Sequence, residues 1–468
     1  MAQQQTCNVA IVGAGASGIL LAGALVRPPI PLKVILVDPN PGRGPAYGGS
    51  DEHHLLNTRA GNMSLDAQSP QGFVDWLNLY RSKPGGWDAE DFAPRRIFGD
   101  YLEQRLHNLE TRTPGLGSTR VVRSKALSAE RGEGGWSIRL TSHERIQADA
   151  LVLATGVARP RPLLFHGRDE VEAQIQDDPW DDDALKTLPR GAEILLIGTG
   201  LTTLDVAAAL LRRDPGVRIK AVSRHGLLPR VHASPSPAAP ALSPPYPKTA
   251  RELYAKLRAA AEFVEGDASL RHGVFLNLRE IGAKLWAGLP DDERLMFLRH
   301  FRRYWEVERH RTPPAQAKVI REAMADGRFE VIRGRLAEAK SLPSGAEARI
   351  ALLTTDGPRA LTVNRVINCT GPEADPFRSR NPLLLDLLAQ GAAAADPLGL
   401  GLHVDEHCAV LGSSGQVTPG LYAVGAPTQG RFFESTAVNE IRGQTARLAD
   451  LIVVSAAVHG LTEASPAA

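Results

Sequence analysis

The stretch NVAIVGAGASG, residues 8–18, decides how this chain folds. Its apolar run, residues 8–12, predicts a β-strand, and Gly13, Gly15 and Gly18 follow with the spacing of a glycine loop that opens a helix. In such a loop the first glycine allows a tight turn, the second lets a pyrophosphate approach the backbone, and the third lets the helix pack closely on the strand. Free N–H groups and the helix dipole then favour phosphates. The stretch therefore predicts a dinucleotide-binding site.

The residues that follow this loop complete a βαβ unit. A helix is predicted over residues 17–26 and a second strand over residues 32–37. An acid that holds ribose hydroxyls is expected about 20 residues past the last glycine, and Asp38 stands there. Because strand, helix and acid all agree, we favour a dinucleotide site over an ordinary glycine-rich turn.

A second glycine loop, GTGLTT at residues 198–203, follows the predicted strand 193–197. Thr203 replaces the third glycine, which should hold the helix slightly away from the strand. Ser223 and Arg224 stand where the acid would be, and without that acid a serine–arginine pair can bind a 2′-phosphate. This pattern favours NADPH over NADH, with a solvated Arg224 as the alternative. The predicted NADPH contacts are Gly198, Gly200, Thr202, Ser223 and Arg224.

The order of these motifs predicts how the domains are arranged. Two further strands, 148–153 and 363–368, run into Thr155-Gly156 and Thr370-Gly371, on either side of the second βαβ unit. The predicted fold class is α/β, with two Rossmann-like dinucleotide-binding domains and the second inserted in the first. The predicted segments are 1–165 for the first domain, 166–355 for the NADPH domain with a helical insertion at about 248–330, and 356–468 for the return to the first domain.

The composition and the cysteines exclude several classes of protein. The 468 residues carry 54 Lys plus Arg and 52 Asp plus Glu, a net charge of +2, which argues against a nucleic-acid partner. Cys7, Cys369 and Cys408 form no CxxC pair, so neither a redox dithiol nor a zinc site is expected, and no HExxH-type spacing indicates another metal. No apolar run reaches the ~20 residues of a membrane span. We expect a cytoplasmic protein without a membrane span.

The last motif lies near the C-terminus. A strand at 420–424 ends at Gly425, and Glu434, Ser435 and Thr436 lead into a helix predicted over about 436–455. A helix N-terminus directed at a flavin ring would stabilise the negative charge of the reduced ring. The alternative is the start of an ordinary core helix.

Taken together, the motifs resemble those of class B flavin monooxygenases, which include amine N-hydroxylases and Baeyer–Villiger enzymes. More closely, the chain resembles the bacterial family of FAD-NAD(P)-binding proteins. The stretches that carry this resemblance are 42–48 (GRGPAYG), 54–57 (HLLN), 63–64 (MS), 223–230 (SRHGLLPR), 304–305 (YW), 309–311 (RHR) and 431–442 (RFFESTAVNEIR).

The resemblance implies FAD in the first domain. The implied FAD contacts are Gly13, Gly15, Ser17, Gly18, Asp38, Pro39, Tyr47, Asn57, Thr155, Gly156, Gly425, Glu434, Ser435 and Thr436. It also implies that residues 42–48 and Asn57 pass the flavin ring, and that Asn57, Arg59 and Met63 line the catalytic pocket. From the residues alone, Asn57 can bond a flavin or peroxide, or simply its own backbone.

The resemblance also implies an activity. This is an FAD-dependent, NADPH-consuming monooxygenase that acts through a C4a-hydroperoxyflavin, with a small molecule and O₂ as substrates and N-hydroxylation of a small amino compound as the leading reaction. Two alternatives stay open: an NAD(P)H:acceptor oxidoreductase without oxygen insertion, and a non-catalytic FAD/NADP-binding regulatory module. Self-association is also left open.

A basic stretch in the helical insertion has two interpretations. Trp305 and Arg309 are four residues apart and therefore share a helix face. They form either a packed aromatic with basic surface residues or a cationic wall over NADPH or an acidic substrate.

Overall fold

The computed structural model describes residues 7–27, 32–49, 51–111 and 117–463. Its strands form three sheets, and the predicted α/β class is confirmed. In chain order the strands are β1 (Cys7–Val12), β2 (Leu32–Val37), β3 (Ser118–Val122), β4 (Ala126–Gly132), β5 (Gly135–Leu140), β6 (Arg145–Ala148), β7 (Ala150–Leu153), β8 (Ile175–Gln176), β9 (Glu193–Ile197), β10 (Arg218–Ser223), β11 (Phe329–Ser341), β12 (Ala348–Thr354), β13 (Gly357–Val363), β14 (Arg365–Asn368), β15 (Ala409–Leu411) and β16 (Val417–Ala423).

The helices alternate with these strands in the two large sheets and gather in one block between β10 and β11. They are α1 (Ala16–Leu25), α2 (Gly44–Tyr47), α3 (Gly72–Tyr80), α4 (Arg95–Glu110), α5 (Asp182–Lys186), α6 (Leu201–Arg213), α7 (Ala250–Phe263), α8 (Ala268–Ala287), α9 (Asp291–His300), α10 (Arg302–Arg309), α11 (Pro314–Ala325), α12 (Pro382–Ala389), α13 (Gln429–Phe432) and α14 (Val438–Glu463). None of the described helices is both long and apolar enough to cross a membrane.

The first sheet has the strand order β15-β16-β7-β1-β2-β3 and is parallel except for the β15–β16 pair. β1 has β2 on one side and β7 on the other, so the direction in which the chain adds strands reverses beside β1. The apolar helices α1 and α14 pack on this sheet, where Ile11, Leu21 and Leu448 belong to one buried cluster. The long final helix therefore returns to the domain that the first residues begin.

The second sheet has the order β13-β12-β11-β10-β9-β14-β8. Its five strands β11, β10, β9, β14 and β8 pair in parallel, and β12 and β13 add an antiparallel edge. The second sheet thus continues to Asn368, beyond the predicted boundary at residue 355. That boundary was placed too early because the antiparallel hairpin and β14 pair with β11 and β9, which are far away in sequence.

The helices α7 to α11 lie between β10 and β11. α7 to α10 form a layer with its own apolar core, whereas Ile320 and Ala323 of α11 share a core with α6 and the second sheet. Side chains cap the N-termini of two of these helices. Thr249 accepts a hydrogen bond from the Glu252 N–H at the start of α7, and Asp267 accepts one from the Leu270 N–H at the start of α8. Trp286 of α8 stacks on Phe433 at 4.4 Å and donates to the carbonyl of Gly430. The helical layer is therefore attached to the C-terminal part of the first domain.

The stretch 233–247, with its six prolines, contains neither helix nor strand, as its sequence predicts. The sequence analysis assigned no element to the three-stranded sheet β4-β5-β6. Its strands pack through Trp136 and Ile138, whose alternation with polar residues is a two-residue pattern typical of a half-buried strand.

Candidate functional site

The first glycine loop joins β1 to α1 through close backbone contacts. Gly13 has φ +108°, and a Cβ there would lie 2.1 Å from the carbonyl oxygen of Ala154, at the end of β7. A Cβ on Gly18 would lie 1.9 Å from the carbonyl oxygen of Gly13. Gly15 differs, because its nearest neighbour would be the Cα of Gly44 at 3.8 Å. Two glycines are thus required by packing, and Gly15 leaves room beside the N-terminus of α1.

The second glycine loop repeats this geometry between β9 and α6. Gly198 has φ +119°, and its Cβ would lie 2.4 Å from the carbonyl oxygen of Cys369, at the end of β14. A Cβ on Gly200 would meet nothing within 4 Å. Thr203, which takes the place of the third glycine, is completely buried. Each domain therefore presents an open helix N-terminus at the carboxyl edge of its sheet.

The two Thr-Gly pairs lie opposite these loops. Thr155-Gly156 follows β7 and Thr370-Gly371 follows β14, the strands that flank β1 and β9. Gly156 and Gly371 both have positive φ, and a Cβ added at either position would meet no other atom within 4 Å. In open α/β sheets, ligands bind outside the carboxyl ends of the strands where the strand order reverses. Two crevices have this position. The first crevice lies between the loop at Gly13 and Thr155-Gly156, and the second lies between the loop at Gly198 and Thr370-Gly371.

A single cleft of about 900 Å³ extends from the second crevice toward the first domain. Of the predicted cofactor residues, the cleft is lined by Thr155, Gly156, Gly198, Gly200, Thr202, Ser223, Arg224 and Thr436. Its volume is that of a typical pocket for a cofactor-sized ligand. The tertiary structure thus brings eight predicted residues from four separate segments to one cavity.

One end of this cleft is strongly basic. The Thr199 hydroxyl is 2.8 Å from the Ser223 hydroxyl, and Arg303 of α10 donates to the Thr199 hydroxyl and carbonyl, both at 3.0 Å. Burial first, and then the charges of Arg224, Arg333 and Arg303, lower the pKa of His225. Such a concentration of positive charge suits a phosphate group. Thr199 and Arg303 were not among the predicted site residues, because their contact joins segments that are 104 residues apart in the chain.

The predicted residues of the first crevice have mixed surroundings. The Asp38 carboxylate accepts hydrogen bonds from the Ala14 and Asn40 N–H groups, both at 2.8 Å. Pro39 is exposed beside it. The ring of Tyr47 packs edge-on against Phe98 at 4.7 Å, and burial raises the pKa of its hydroxyl. Asp38 therefore shapes the glycine loop itself, and its contact with a ribose stays a prediction.

The C-terminal segment meets the first glycine loop directly. A Cβ on Gly425 would lie 2.5 Å from the Ser17 hydroxyl, and the Gly425 N–H donates to Gln444 of α14 at 2.8 Å. The hydroxyl of Ser435 and the side-chain oxygen of Asn439 are buried without hydrogen-bond partners among the described residues. Unpaired buried polar atoms beside a glycine loop are what a bound polar cofactor would satisfy.

Glu434 ties the helical layer to this segment. Its carboxylate accepts from Trp305 Nε1 at 3.1 Å and from Arg309 Nη2 at 2.7 Å. The two residues share a helix face, as their spacing predicts, and Trp305 is buried. The cation of Arg309 is thereby neutralised by a carboxylate of the chain. Glu434 thus has a positioning role in the structure, and its contact with a cofactor stays a prediction.

The predicted catalytic residues fall into two groups. The Asn57 carbonyl lies 2.9 Å from His232 Nε2, and Arg59 donates to the carbonyl of Ala233 at 2.7 Å, so this loop is bound to the chain just after β10. Met63 is only 2% exposed and lies in the core of the first domain. The structure thus attaches Asn57 and Arg59 to the same segment, residues 232–233, and places Met63 in the core. Their catalytic roles stay predictions.

The residues present fit the two expected cofactors. The first loop offers an open Gly15, the free N–H groups of α1 and the unpaired Ser435 hydroxyl to an FAD. The second loop offers an open Gly200 and the basic end of the cleft to a phosphorylated nicotinamide dinucleotide.

Comparison with known proteins agrees with this assignment. Residues 10–158 match the family model NAD_binding_9, described as FAD-NAD(P)-binding, so the predicted resemblance and cofactor class are confirmed. An FAD-dependent urate hydroxylase of Xanthomonas campestris pv. campestris is 28% identical over 242 residues. That match takes in 48% of this chain and 46% of the relative, so the chain matches about half the length of this curated protein.

Solved structures share the fold over nearly the whole chain. An ornithine N-hydroxylase of Kutzneria sp. 744, solved with reduced FAD, NADP⁺ and L-ornithine, has a TM-score of 0.60 at 16% identity, with 96% of this chain and 100% of that chain covered. The thioredoxin reductase of T. acidophilum has a TM-score of 0.52 at 13% identity, with 96% and 98% covered. The predicted architecture of two dinucleotide-binding domains is confirmed.

Proposed function

We propose that this chain is an FAD-dependent, NADPH-consuming monooxygenase that hydroxylates a small nitrogen-containing compound. The observation that carries the proposal is the single cleft, which is lined by Gly200 and Thr202 of the second glycine loop and also by Thr155, Pro427 and Thr436 of the first domain. This cavity runs from the second glycine loop to Thr155, at the end of β7, which supports a nicotinamide held by the second loop and directed toward the first domain.

Bound FAD and NADPH would supply the redox chemistry, namely hydride transfer and reaction with O₂. The residues of the chain would hold and orient these cofactors. Gly13 and Gly18 let α1 begin against the sheet, so its free N–H groups face the pyrophosphate. Ser17 and the backbone of Ser435 both lie close to Gly425, so the buried, unpaired Ser435 hydroxyl would be a donor available to FAD near the first loop. The helical layer contacts the neighbouring segment through Trp286 and Phe433.

The relatives support the reaction class at different levels. The urate hydroxylase is a sequence relative over half of its length, and the ornithine N-hydroxylase shares the fold. N-hydroxylation of a small amino compound is the finer proposal, together with the choice of NADPH over NADH and a cytoplasmic location. The main alternative is an acceptor reductase, which the fold also accommodates, as the thioredoxin reductase shows for its own chain. The three cysteines are all free and form no CxxC pair, which disfavours a dithiol acceptor.

The test is to reduce the purified yellow protein with NADPH without oxygen, readmit O₂, and measure the ratio of hydrogen peroxide released to NADPH consumed. A candidate substrate that lowers this ratio and yields a hydroxylated product supports a monooxygenase. Quantitative peroxide release with every compound tried would instead indicate a reductase or oxidase. Failure of NADPH to bleach the flavin would favour a regulatory module.

A further inference from the structure

Two ion pairs join the first domain to α6, the helix that begins at the second glycine loop. Arg95 Nη2 lies 3.1 Å from Asp205 Oδ2, in the first half of α6, and Asp51 Oδ2 lies 3.0 Å from Arg213 Nη2, at the last residue of the helix. Arg95 and Asp51 belong to the first domain, so this domain holds α6 near both of its ends.

The pair of Arg95 and Asp205 is buried and has defined partners on each side. Asp205 is 3% exposed, and its other carboxylate oxygen accepts a hydrogen bond from Gln316 Nε2 at 2.6 Å. The guanidinium of Arg95 lies over the ring of Trp180, 5.7 Å from the ring centroid. The two charges are therefore fixed in direction as well as in distance.

Arg95 also holds the loop that is predicted to pass the flavin ring. The Arg95 N–H donates to the carbonyl of His54 at 2.8 Å, and the Leu56 N–H donates to the carbonyl of Ala93 at 2.9 Å. These two bonds fix the backbone that leads into Asn57 against the start of α4. Through its backbone Arg95 thus contacts the loop before Asn57, and through its side chain it contacts α6.

A buried ion pair of this kind specifies an arrangement more than it adds stability. Its attraction is largely offset by the loss of hydration, but separating the two charges leaves both of them buried and unpaired. Any shift of α6 away from the first domain would separate Arg95 from Asp205. Hydride transfer needs the reacting atoms about 3–3.5 Å apart, and a misplacement of about 1 Å can slow a reaction about 100-fold.

We propose that Arg95 and Asp205 are positioning residues. Their ion pair fixes the second glycine loop relative to the loop of Asn57, and a nicotinamide held by the second loop is thereby directed at the flavin. The effect on hydride transfer rests on the proposed function, whereas the effect on the arrangement of the two domains does not.

The test uses the double variant Arg95→Met with Asp205→Asn. It removes the ion pair without leaving a buried charge unpaired, and the new amide oxygen can still accept from Gln316. Stopped-flow reduction of the FAD-loaded protein without oxygen, at increasing NADPH concentration, gives a limiting rate and a dissociation constant. We expect the limiting rate to fall at least about tenfold and the dissociation constant to change less than about threefold, because the pair acts on orientation rather than on cofactor contacts.

Arg96→Met is the matched control. Arg96 neighbours Arg95 in α4, is 44% exposed, and pairs with Glu52 of the same domain at 3.3 Å. Because this pair is exposed and joins no second domain, its loss should leave the limiting rate within about twofold.

A second measurement needs no turnover. Hydrogen–deuterium exchange of the FAD-loaded protein without NADPH should be faster in the double variant at residues 51–57 and 201–213. Exchange at the same residues should be unchanged in Arg96→Met.

Three results would overturn the inference: a wild-type limiting rate in the double variant, an equal loss of rate in Arg96→Met, or a loss confined to NADPH affinity. If the double variant does not retain FAD, Arg95→Lys takes its place. It keeps the charge but not the guanidinium geometry, so its limiting rate should still fall about threefold or more at unchanged NADPH affinity. The proposed function fails separately, through a wild-type flavin that NADPH cannot reduce. Exchange then decides the inference, and unaltered exchange at both segments would overturn it.

Discussion

The two glycine loops have the same geometry but are stabilised in different ways. In the first, backbone meets backbone: Gly13 approaches Ala154, Gly18 approaches Gly13, and Gly15 approaches Gly44. In the second, only Gly198 makes the equivalent approach, to Cys369. The first loop is therefore held mainly by close contacts between backbone atoms, together with the Asp38 carboxylate that accepts from the Ala14 N–H.

Side chains replace the missing contacts in the second loop. Thr203 fills the space of a third glycine, and the Thr199 hydroxyl joins Ser223, the carbonyl of Leu227 and Arg303. Arg303 belongs to α10, so the helical layer takes part in forming the second glycine loop. Under the proposed function this difference matches the ligands, because the flavin stays bound while NADPH must enter and leave in each turnover.

The largest effect is expected for alanine substitutions of Gly13 and Gly198, which should each abolish binding of a different ligand. Gly13→Ala and Gly198→Ala each combine a positive φ with a Cβ clash against a backbone carbonyl, and each should lower the free energy of unfolding by about 3 kcal/mol or more. Gly13→Ala should also lose FAD, whereas Gly198→Ala should retain it and lose binding of 2′,5′-ADP. Thermal unfolding, flavin absorbance and calorimetry measure the three quantities. Loss of FAD from both variants would mean that the loops are not separate sites.

The next effect tests the contribution of the helical layer. Arg303→Met removes the donor to Thr199 and Leu227, so we expect 2′,5′-ADP to bind about tenfold more weakly, or about 1.4 kcal/mol, with a loss of about 1–2 kcal/mol in unfolding free energy. Arg299→Met is the control, since Arg299 lines the same cleft but is exposed. Equal effects of the two variants would show that only the overall charge matters.

Gly200→Ala is expected to change stability less and to test whether the open space at Gly200 is needed for a ligand. A Cβ at Gly200 meets nothing within 4 Å and the backbone there is extended, so Gly200→Ala should change the unfolding free energy by less than about 1 kcal/mol. The same methyl group would stand where the pyrophosphate approaches, and 2′,5′-ADP or NADPH should bind clearly more weakly. Unchanged NADPH affinity would place the pyrophosphate elsewhere.

The smallest effect on stability belongs to Arg224, which is exposed at the edge of the cleft. Arg224→Gln should leave thermal unfolding unchanged and reduce the preference for NADPH over NADH about fivefold, or about 1 kcal/mol. The ratio of the two dissociation constants for reduced cofactor measures it. Lys33→Gln is a suitable control for loss of an exposed cation, because Lys33 lies on β2 in the first sheet.

Much of the fold could be predicted because its main signals are local. The strands β1, β2 and β9 begin and end within about one residue of their predicted limits, since apolar runs and glycine turns mark their ends. The boundary at residue 355 was wrong because β13 and β14 are assigned to the second sheet by pairing with distant strands, which no local pattern reveals. The sheet β4-β5-β6 was missed although its alternation was readable.

The candidate site was predictable to the extent that it consists of motifs. Gly13, Gly198 and the two Thr-Gly pairs could be identified from spacing, and the structure explains why each pair follows a strand next to its glycine loop. Arg303 and His232 could not be assigned in this way. Each acts through contacts with residues about 100 to 175 positions away, and a single arginine or histidine in a helical or proline-rich stretch has no distinguishing pattern.

The sequence by itself determined the two dinucleotide-binding units and the cofactor class, because a glycine loop is a local requirement of backbone geometry and phosphate binding. Only the tertiary structure decided that one cleft reaches from the second glycine loop to Thr155 and Thr436 of the first domain, and that Arg303 of the helical layer completes the second loop. These features depend on which distant segments become neighbours. That is settled by burial of apolar surface and by pairing of charges over the whole chain.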